Sequence, residues 1–193
     1  STPIEETLQA LDDVVRAGKA LYVGASSMHA WQFTKMLYTA RRMGTTSFVS
    51  MQNHYNLIYR EEEREMHPMC AAEGIAVIPW SPMARGRLTR DWSEETERQR
   101  SDDMMARLYP KTDEADRKVA EQLAAIATKR GVPRAQIALA WVLSKPVVTA
   151  PIVGASKPQH LDDAVAALSI KLTAEEVEAL EAPYIPHEVV GFA

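Results

Sequence analysis

Four short stretches carry the residues with chemistry to offer: Ser26-Ser27, Gln52-Asn53, Trp80-Ser81 and Gly154-Ala155-Ser156. Each closes an apolar run of strand-like composition, and in parallel α/β folds ligands meet the C-terminal ends of strands. Ser26 and Gln52 bring a hydroxyl and an amide, a pairing suited to a planar carboxamide, which presents both a donor and an acceptor; the alternative is that they cap loops. Trp80 stands directly before a serine and a proline, where its indole could stack on a flat ring, although a lone tryptophan is more often part of a core. The following Ser81-Pro82-Met83-Ala84-Arg85-Gly86-Arg87 combines small residues with two guanidinium groups, a composition able to wrap phosphate through backbone amides and forked N–H donors. Ser156 and Lys157 precede a helix whose N-terminus can accept a second anionic group.

The positioning elements follow from periodicity. Ile4, Leu8, Leu11 and Val15 form one helical stripe. Thr2 is placed to cap this helix, Pro3 to open it, Glu5 to complete a capping box and Gly18 to stop it. The run Ala20 to Ser26 is apolar without polar alternation, as in a strand buried on both faces. The unit recurs: helix-like Trp31 to Met43 leads into Phe48 to Gln52, and helix-like Glu61 to Glu73 into Ile75 to Trp80, the acidic start of the latter suiting the positive end of a helix. Strand starts spaced by about 27 residues leave room for one helix and two short loops, the length of a βα unit in a parallel sheet. Ser81 to Thr112 is polar and aperiodic, which predicts a long loop. Two helices follow, around Val119, Leu123 and Ile126 and over Arg134 to Ser144. A fourth strand is expected at Val147 to Val153, then a helix with Leu161, Val165 and Leu168 inward. In the last helix Thr173 and Glu176 form a capping box with Leu172 and Val177 as a hydrophobic staple, before an irregular tail from Pro183.

Four βα units and a leading helix with no strand before it, in 193 residues, read as the second half of a (β/α)8 TIM barrel, which typically needs about 250 residues. An open four-stranded sheet is the rival. Residues 1–193 are taken as one domain.

Composition removes several classes of function. Twenty-two basic against 26 acidic residues, a formal charge of −4, supply no basic patch for nucleic acid. No apolar run approaches the roughly 20 residues of a membrane span, and the N-terminal residues lack the basic and apolar regions of a signal peptide. Cys70 is the single cysteine, so an internal disulfide is impossible and a reducing, cytoplasmic setting is expected. G-x-G-x-x-G, the P-loop, H-E-x-x-H and G-x-S-x-G are all missing. His29, His54, His67, His160 and His187 show no metal-ligand spacing and read as surface or structural residues.

Taken in order, Gly18 to Ser26, Gln52-Asn53-His54-Tyr55-Asn56-Leu57, Trp80 to Gly86, and Gly154-Ala155-Ser156-Lys157-Pro158-Gln159-His160-Leu161 resemble the C-terminal half of an aldo-keto reductase. The ending Pro183 to Phe192 suggests a bacterial branch. The resemblance implies a barrel that binds NADP(H) at its C-terminal strand ends and reduces aldehydes and ketones to alcohols. It implies that Ser26 and Gln52 hold the nicotinamide carboxamide, with Ser27 beside them, and that Trp80 stacks on the nicotinamide. Ser81, Pro82, Met83 and Arg85 match the pyrophosphate loop, with Arg98 a looser second clamp. Gly154, Ser156, His160 and Asp163 match the 2′-phosphate and adenosine end. Ser27 stands where the family usually has Asn, and Ala164 where it often has Asn against the adenine. The family's catalytic Asp, Tyr, Lys and His lie on its first four βα units, which this chain does not contain. None of Tyr22, Tyr38, Tyr55, Tyr59, Tyr109 and Tyr184 lies in a proton-donor motif, so no catalytic residue and no metal ligand is assigned.

The expected function is therefore NADPH-dependent reduction of a small carbonyl substrate, with this chain supplying the coenzyme-binding half. It is expected to pair with an N-terminal half or to self-associate. A non-catalytic coenzyme-binding or interaction module is the alternative.

Overall fold

The computed structural model describes residues 2–92, 108–109 and 112–190. Helix α1 (Ile4–Arg16) leads into strand β1 (Val23–Ser26), followed by α2 (Ala30–Met43), β2 (Phe48–Gln52), α3 (Met66–Glu73) and β3 (Ala76–Val77). Then come α4 (Asp113–Arg130), α5 (Arg134–Leu143), α6 (Pro158–Ala167) and α7 (Ala174–Glu181). The three strands form one parallel sheet in the order β1-β2-β3, so the parallel α/β layout stands. In register, Ser26 lies opposite Gln52. The sheet is tight where β1 meets β2: a Cβ added at Gly24 would lie 2.5 Å from Ser50 Oγ.

The strands are shorter than their apolar runs. β1 begins at Val23 because its ladder ends there, opposite Phe48, the first residue of β2. Leu21 and Tyr22 lie beyond the paired region and are exposed at 82% and 72%, against the expectation of burial on both faces. The fourth strand is reduced to a single parallel bridge, Val77 to Val148, with Thr149 N–H donating to Val77 O and Ile152 N–H to Pro79 O, each at 2.8 Å. Pro79 and Pro151 lack the N–H groups that a longer ladder would need.

Two apolar clusters hold the chain together. One packs α1, α2 and α3 on the sheet through Leu8, Phe33, Leu37, Met51, Cys70 and Val77; the other joins the segment after β2 to α4 and α5 through Tyr55, Ile58, Leu123, Ile137 and Trp141. Helix ends follow local chemistry in part. Thr173 Oγ1 accepts from Glu176 N–H at 3.2 Å while Glu176 Oε2 accepts from Thr173 N–H at 2.8 Å, the capping box expected for α7, and Leu172 and Val177 both pack on the larger cluster. Gly18, at φ +70°, follows the end of α1. Pro3, not Thr2, takes the N-cap position of α1, without a side-chain cap; Pro already fits at the boundary because it has no amide to satisfy.

Two further expectations are overturned. Leu161 and Val165 of α6, and Leu168 directly after it, are exposed, because α6 packs on its neighbours through its other face, where Ala167 is buried and Asp163 accepts from Gln136 of α5 at 3.0 Å. The acidic run Glu61–Glu63 forms a 3-10 turn before α3, and Glu61 and Glu62 are buried. The irregular tail explains this for Glu61: Tyr184 OH donates to its carboxylate at 2.7 Å and His187 N–H at 2.8 Å. The tail is also fixed by His187 Nε2, 2.9 Å from the buried Asp116. The loop expected over Ser81 to Thr112 is seen in its first part, 81–92, which contains a 3-10 turn at Ala84–Gly86; residues 93–107, with Arg98, lie outside the described residues.

Candidate functional site

The C-terminal ends of the strands bring Ser26, Gln52 and Trp80 to one edge of the sheet. Ser26 is exposed and Gln52 half-buried. Ser26 Oγ donates to Gln52 O at 3.3 Å, which places the hydroxyl against the neighbouring strand end. Trp80 sits one strand further on. Its N–H donates to Asn53 O at 2.8 Å, its indole Nε1–H donates to Ser27 Oγ at 3.2 Å, and it forms a parallel bridge with His54. Ser27 thus supports the indole.

Beneath Trp80 lies a stack of rings. The His54 imidazole is 4.3 Å from the Trp80 ring at 11° on one side and 4.3 Å from the Tyr59 ring at 17° on the other. Tyr109 OH lies 2.9 Å from His54 Nε2 and accepts from Asn56 Nδ2 at 3.0 Å; Asn56 Nδ2 also donates to Ser81 O at 3.0 Å. Burial, aided by the charges of His187 and Arg85, pushes His54 down to about 3, so the imidazole is neutral near pH 7.

After Trp80 the backbone enters the left-handed region at three residues with side chains: Ser81 (φ +52°), Ala84 (φ +49°) and Arg85 (φ +54°). Such strain is held only where the surroundings over-determine it, and it clusters in ligand-binding loops. Pro82 and Ala84 are buried, Met83 packs on the larger core and Arg85 is half-exposed. The amides of Ala84, Gly86 and Arg87 donate within the loop itself, to Ser81 O, Met83 O and Ala84 O. They shape the turn, and the expectation that a phosphate would be wrapped by backbone amides is narrowed by their use there. Arg87 is paired with Asp113 and lies 4.2 Å over the Trp92 ring and 5.3 Å over the Tyr109 ring.

Gly154, Ser156 and His160 are exposed together at the start of α6. Ser156 N–H donates to His160 Nδ1 at 3.4 Å, and Lys157 occupies the N-cap position with Pro158 in the first turn. A serine, a cation and a histidine before uncapped helix amides fit a phosphate. Asp163 is held by Gln136 and Gln159, which gives it a structural role in the α5–α6 contact.

Tested on these features, the residues fit a nicotinamide coenzyme. Ser26 and Gln52 stand opposite each other at paired strand ends, a pinned and partly exposed indole follows three residues beyond β3, and a strained arginine loop comes immediately after it. A second polar cluster lies behind β2: Asn53 Nδ2 is 3.3 Å from Glu62 Oε2 and 3.0 Å from His67 Nε2. Burial raises Glu62 to about 7 and lowers His67 to about 4. Among the described residues no group of three or more His, Cys, Asp and Glu is placed to hold a metal, and no helix is long and apolar enough to cross a membrane.

Sequence reasoning gave His54 and Tyr109 no part in the site. Nothing in their spacing could have found them, since Trp80 lies 26 residues beyond His54 and Tyr109 a further 29. Only the fold brings the three rings together.

A parallel α/β domain with its polar side chains gathered at the C-terminal strand ends belongs to the class of proteins that bind ligands at that edge of the sheet. The comparisons name the family. The Aldo/keto reductase family profile matches residues 1–185, and the chain belongs to that family. It is 47% identical over 190 residues to versiconal hemiacetal acetate reductase of Aspergillus parasiticus, covering 97% of this chain and 55% of that protein. It is 43% identical to an aldo-keto reductase of Metarhizium robertsii (99% and 51% covered) and 44% identical to one of Alternaria alternata (94% and 49% covered). All three relatives are fungal and lend nothing to the bacterial branch suggested by the tail. The chain spans about half the length of these curated relatives.

Proposed function

We propose that this chain is the coenzyme-binding half of an NADP(H)-dependent reductase of aldehydes and ketones, four βα units of a (β/α)8 barrel completed by an N-terminal half or by self-association. The observation that carries the reading is the register of Ser26 opposite Gln52 with Trp80 pinned at the next strand end. In this reading the Ser26 hydroxyl and the Gln52 amide orient the carboxamide, and the indole of Trp80 supports one face of the nicotinamide ring. Arg85 compensates the pyrophosphate charge, while Ser156, Lys157 and His160 receive the 2′-phosphate. When bound, the coenzyme supplies the hydride; the protein supplies orientation and electrostatics.

The proton for the carbonyl oxygen comes from outside these residues. Tyr55, Tyr59, Tyr109 and Tyr184 are all raised, chiefly by burial, Tyr59 to about 12, and the Tyr38 hydroxyl donates a hydrogen bond to Glu73 at 3.0 Å. A reducing cytoplasm is the proposed setting. The relatives named as reductases favour this reading over a non-catalytic binding module.

Calorimetric titration tests it. NADPH is expected to bind more tightly than NADH, with about 1.5–3 kcal/mol at stake in a charge-assisted contact to the 2′-phosphate. Equal affinity for the two would remove the assignment of Ser156, Lys157 and His160.

A further inference from the structure

We propose that His54 is a positioning residue for the coenzyme, setting the plane of the indole against which the nicotinamide ring lies. This rests on the coenzyme reading above and deepens it.

Trp80 has two faces, and His54 covers one of them at 4.3 Å and 11°. The imidazole cannot tilt freely, because Tyr59 closes its other face at 4.3 Å and 17°. Rotation within its own plane is blocked as well: Tyr109 OH holds Nε2 at 2.9 Å, with Asn56 Nδ2 at 3.2 Å. Asn56 returns to Ser81 O, the residue after Trp80, so a closed path of contacts runs from the imidazole to the backbone that carries the indole. The Trp80 edge is fixed separately by Ser27. Ring plane and ring edge therefore have different supports, and the plane depends on His54.

The residue type suits the task. A flat ring is needed for the stack and an edge acceptor for the tyrosine, and histidine has both. Its Nδ1 is buried without a partner, an uncompensated polar group that a purely space-filling phenylalanine would not carry. Kept neutral by burial, the imidazole places no cation behind the indole, and the electron-rich outer face of Trp80 stays available to the positively charged ring of the oxidised coenzyme.

The test compares His54→Phe, which keeps a flat ring, with His54→Leu, which does not; His54→Gln, which keeps an edge acceptor without a ring, replaces the latter if it fails to fold. Two readouts are taken: the NADPH dissociation constant by calorimetry, and the near-ultraviolet circular dichroism of the coenzyme-free protein, with Trp80→Phe identifying the Trp80 contribution. The leucine variant is expected to weaken NADPH binding at least about tenfold and to lose the Trp80 band, and the phenylalanine variant to stay within about threefold of the parent and keep it. Parent-like affinity and dichroism in the leucine variant would overturn the role of His54, as would equal losses in both variants. If the parent itself bound no NADPH, the coenzyme reading would fall, and this role with it.

Discussion

Glu62 is a carboxyl group held where its charge is costly, and the consequence is a pH dependence. Its folded pKa is raised from 4.5 to about 7, first by burial. The folded state therefore binds the proton more tightly than the unfolded chain; this contribution to stability is fully present below about pH 4.5 and is lost as pH rises through about 7. His67 and His54 act in the opposite direction. Their folded values are lowered from 6.5 to about 4 and about 3, so their contribution is present above 6.5 and lost as pH falls through those values. Glu62→Gln mimics the protonated acid and keeps an acceptor for Asn53. It should leave melting unchanged at pH 4.5 and stabilise the protein at pH 8 by on the order of 2–3 kcal/mol, checked by thermal denaturation at the two pH values. Equal melting temperatures at pH 8 would show that the carboxyl group is hydrated. At the same scale, Trp80 fluorescence should fall as NADPH is added, and Trp80→Phe should lose most of that quenching despite Trp31, Trp92 and Trp141.

The segment from Ser81 to Gly86 connects strain to binding. An L-residue in the left-handed region costs roughly 1–2 kcal/mol, and glycine relieves it at an entropic cost of about 0.5–1 kcal/mol. Arg85→Gly, at φ +54°, should hold or raise the melting temperature while weakening NADPH binding several-fold. A variant that melted markedly lower and bound NADPH as the parent does would make Arg85 a structural residue of the loop. Elsewhere the legibility of an element tracked how local its cause was. The capping box of α7 depends on two residues three apart and was readable. The length of β1 depends on where β2 begins, and the outward stripe of α6 on which face α5 meets, so apolar patterning alone misjudged both.

At the scale of the molecule, several large apolar side chains are exposed, at both ends of the described chain and between. Leu21 and Tyr22 are exposed just before β1, Val49 on β2, Leu161 and Val165 on α6, and Leu168 directly after it. Unpaired strand edges and large apolar patches invite association, so light scattering should find self-association, or a complex once a complementary half is supplied. Leu21→Lys with Val165→Lys should reduce it. A stable, dilute monomer of 21.5 kDa would count against the half-barrel. This chain alone should also oxidise NADPH with a carbonyl substrate only at background rate, since loss of a general acid removes a factor of roughly 10²–10⁴; robust turnover by these residues alone would mean that a proton donor is among them.

The sequence by itself determined the succession of helices and apolar runs, the parallel character of the sheet, the family and the placing of Ser26 and Gln52 at strand ends. All of these follow from periodicity and from short contiguous motifs, whereas Trp80, expected to close the third strand, lies three residues beyond it. The tertiary structure alone decided that His54, Tyr59 and Tyr109 gather behind Trp80, that Glu62 and His67 share a buried cluster with Asn53, and that the tail closes on Glu61 and Asp116. Those contacts join positions 5 to 126 residues apart. Their energies arise from desolvation and ring packing, which no spacing along the chain encodes.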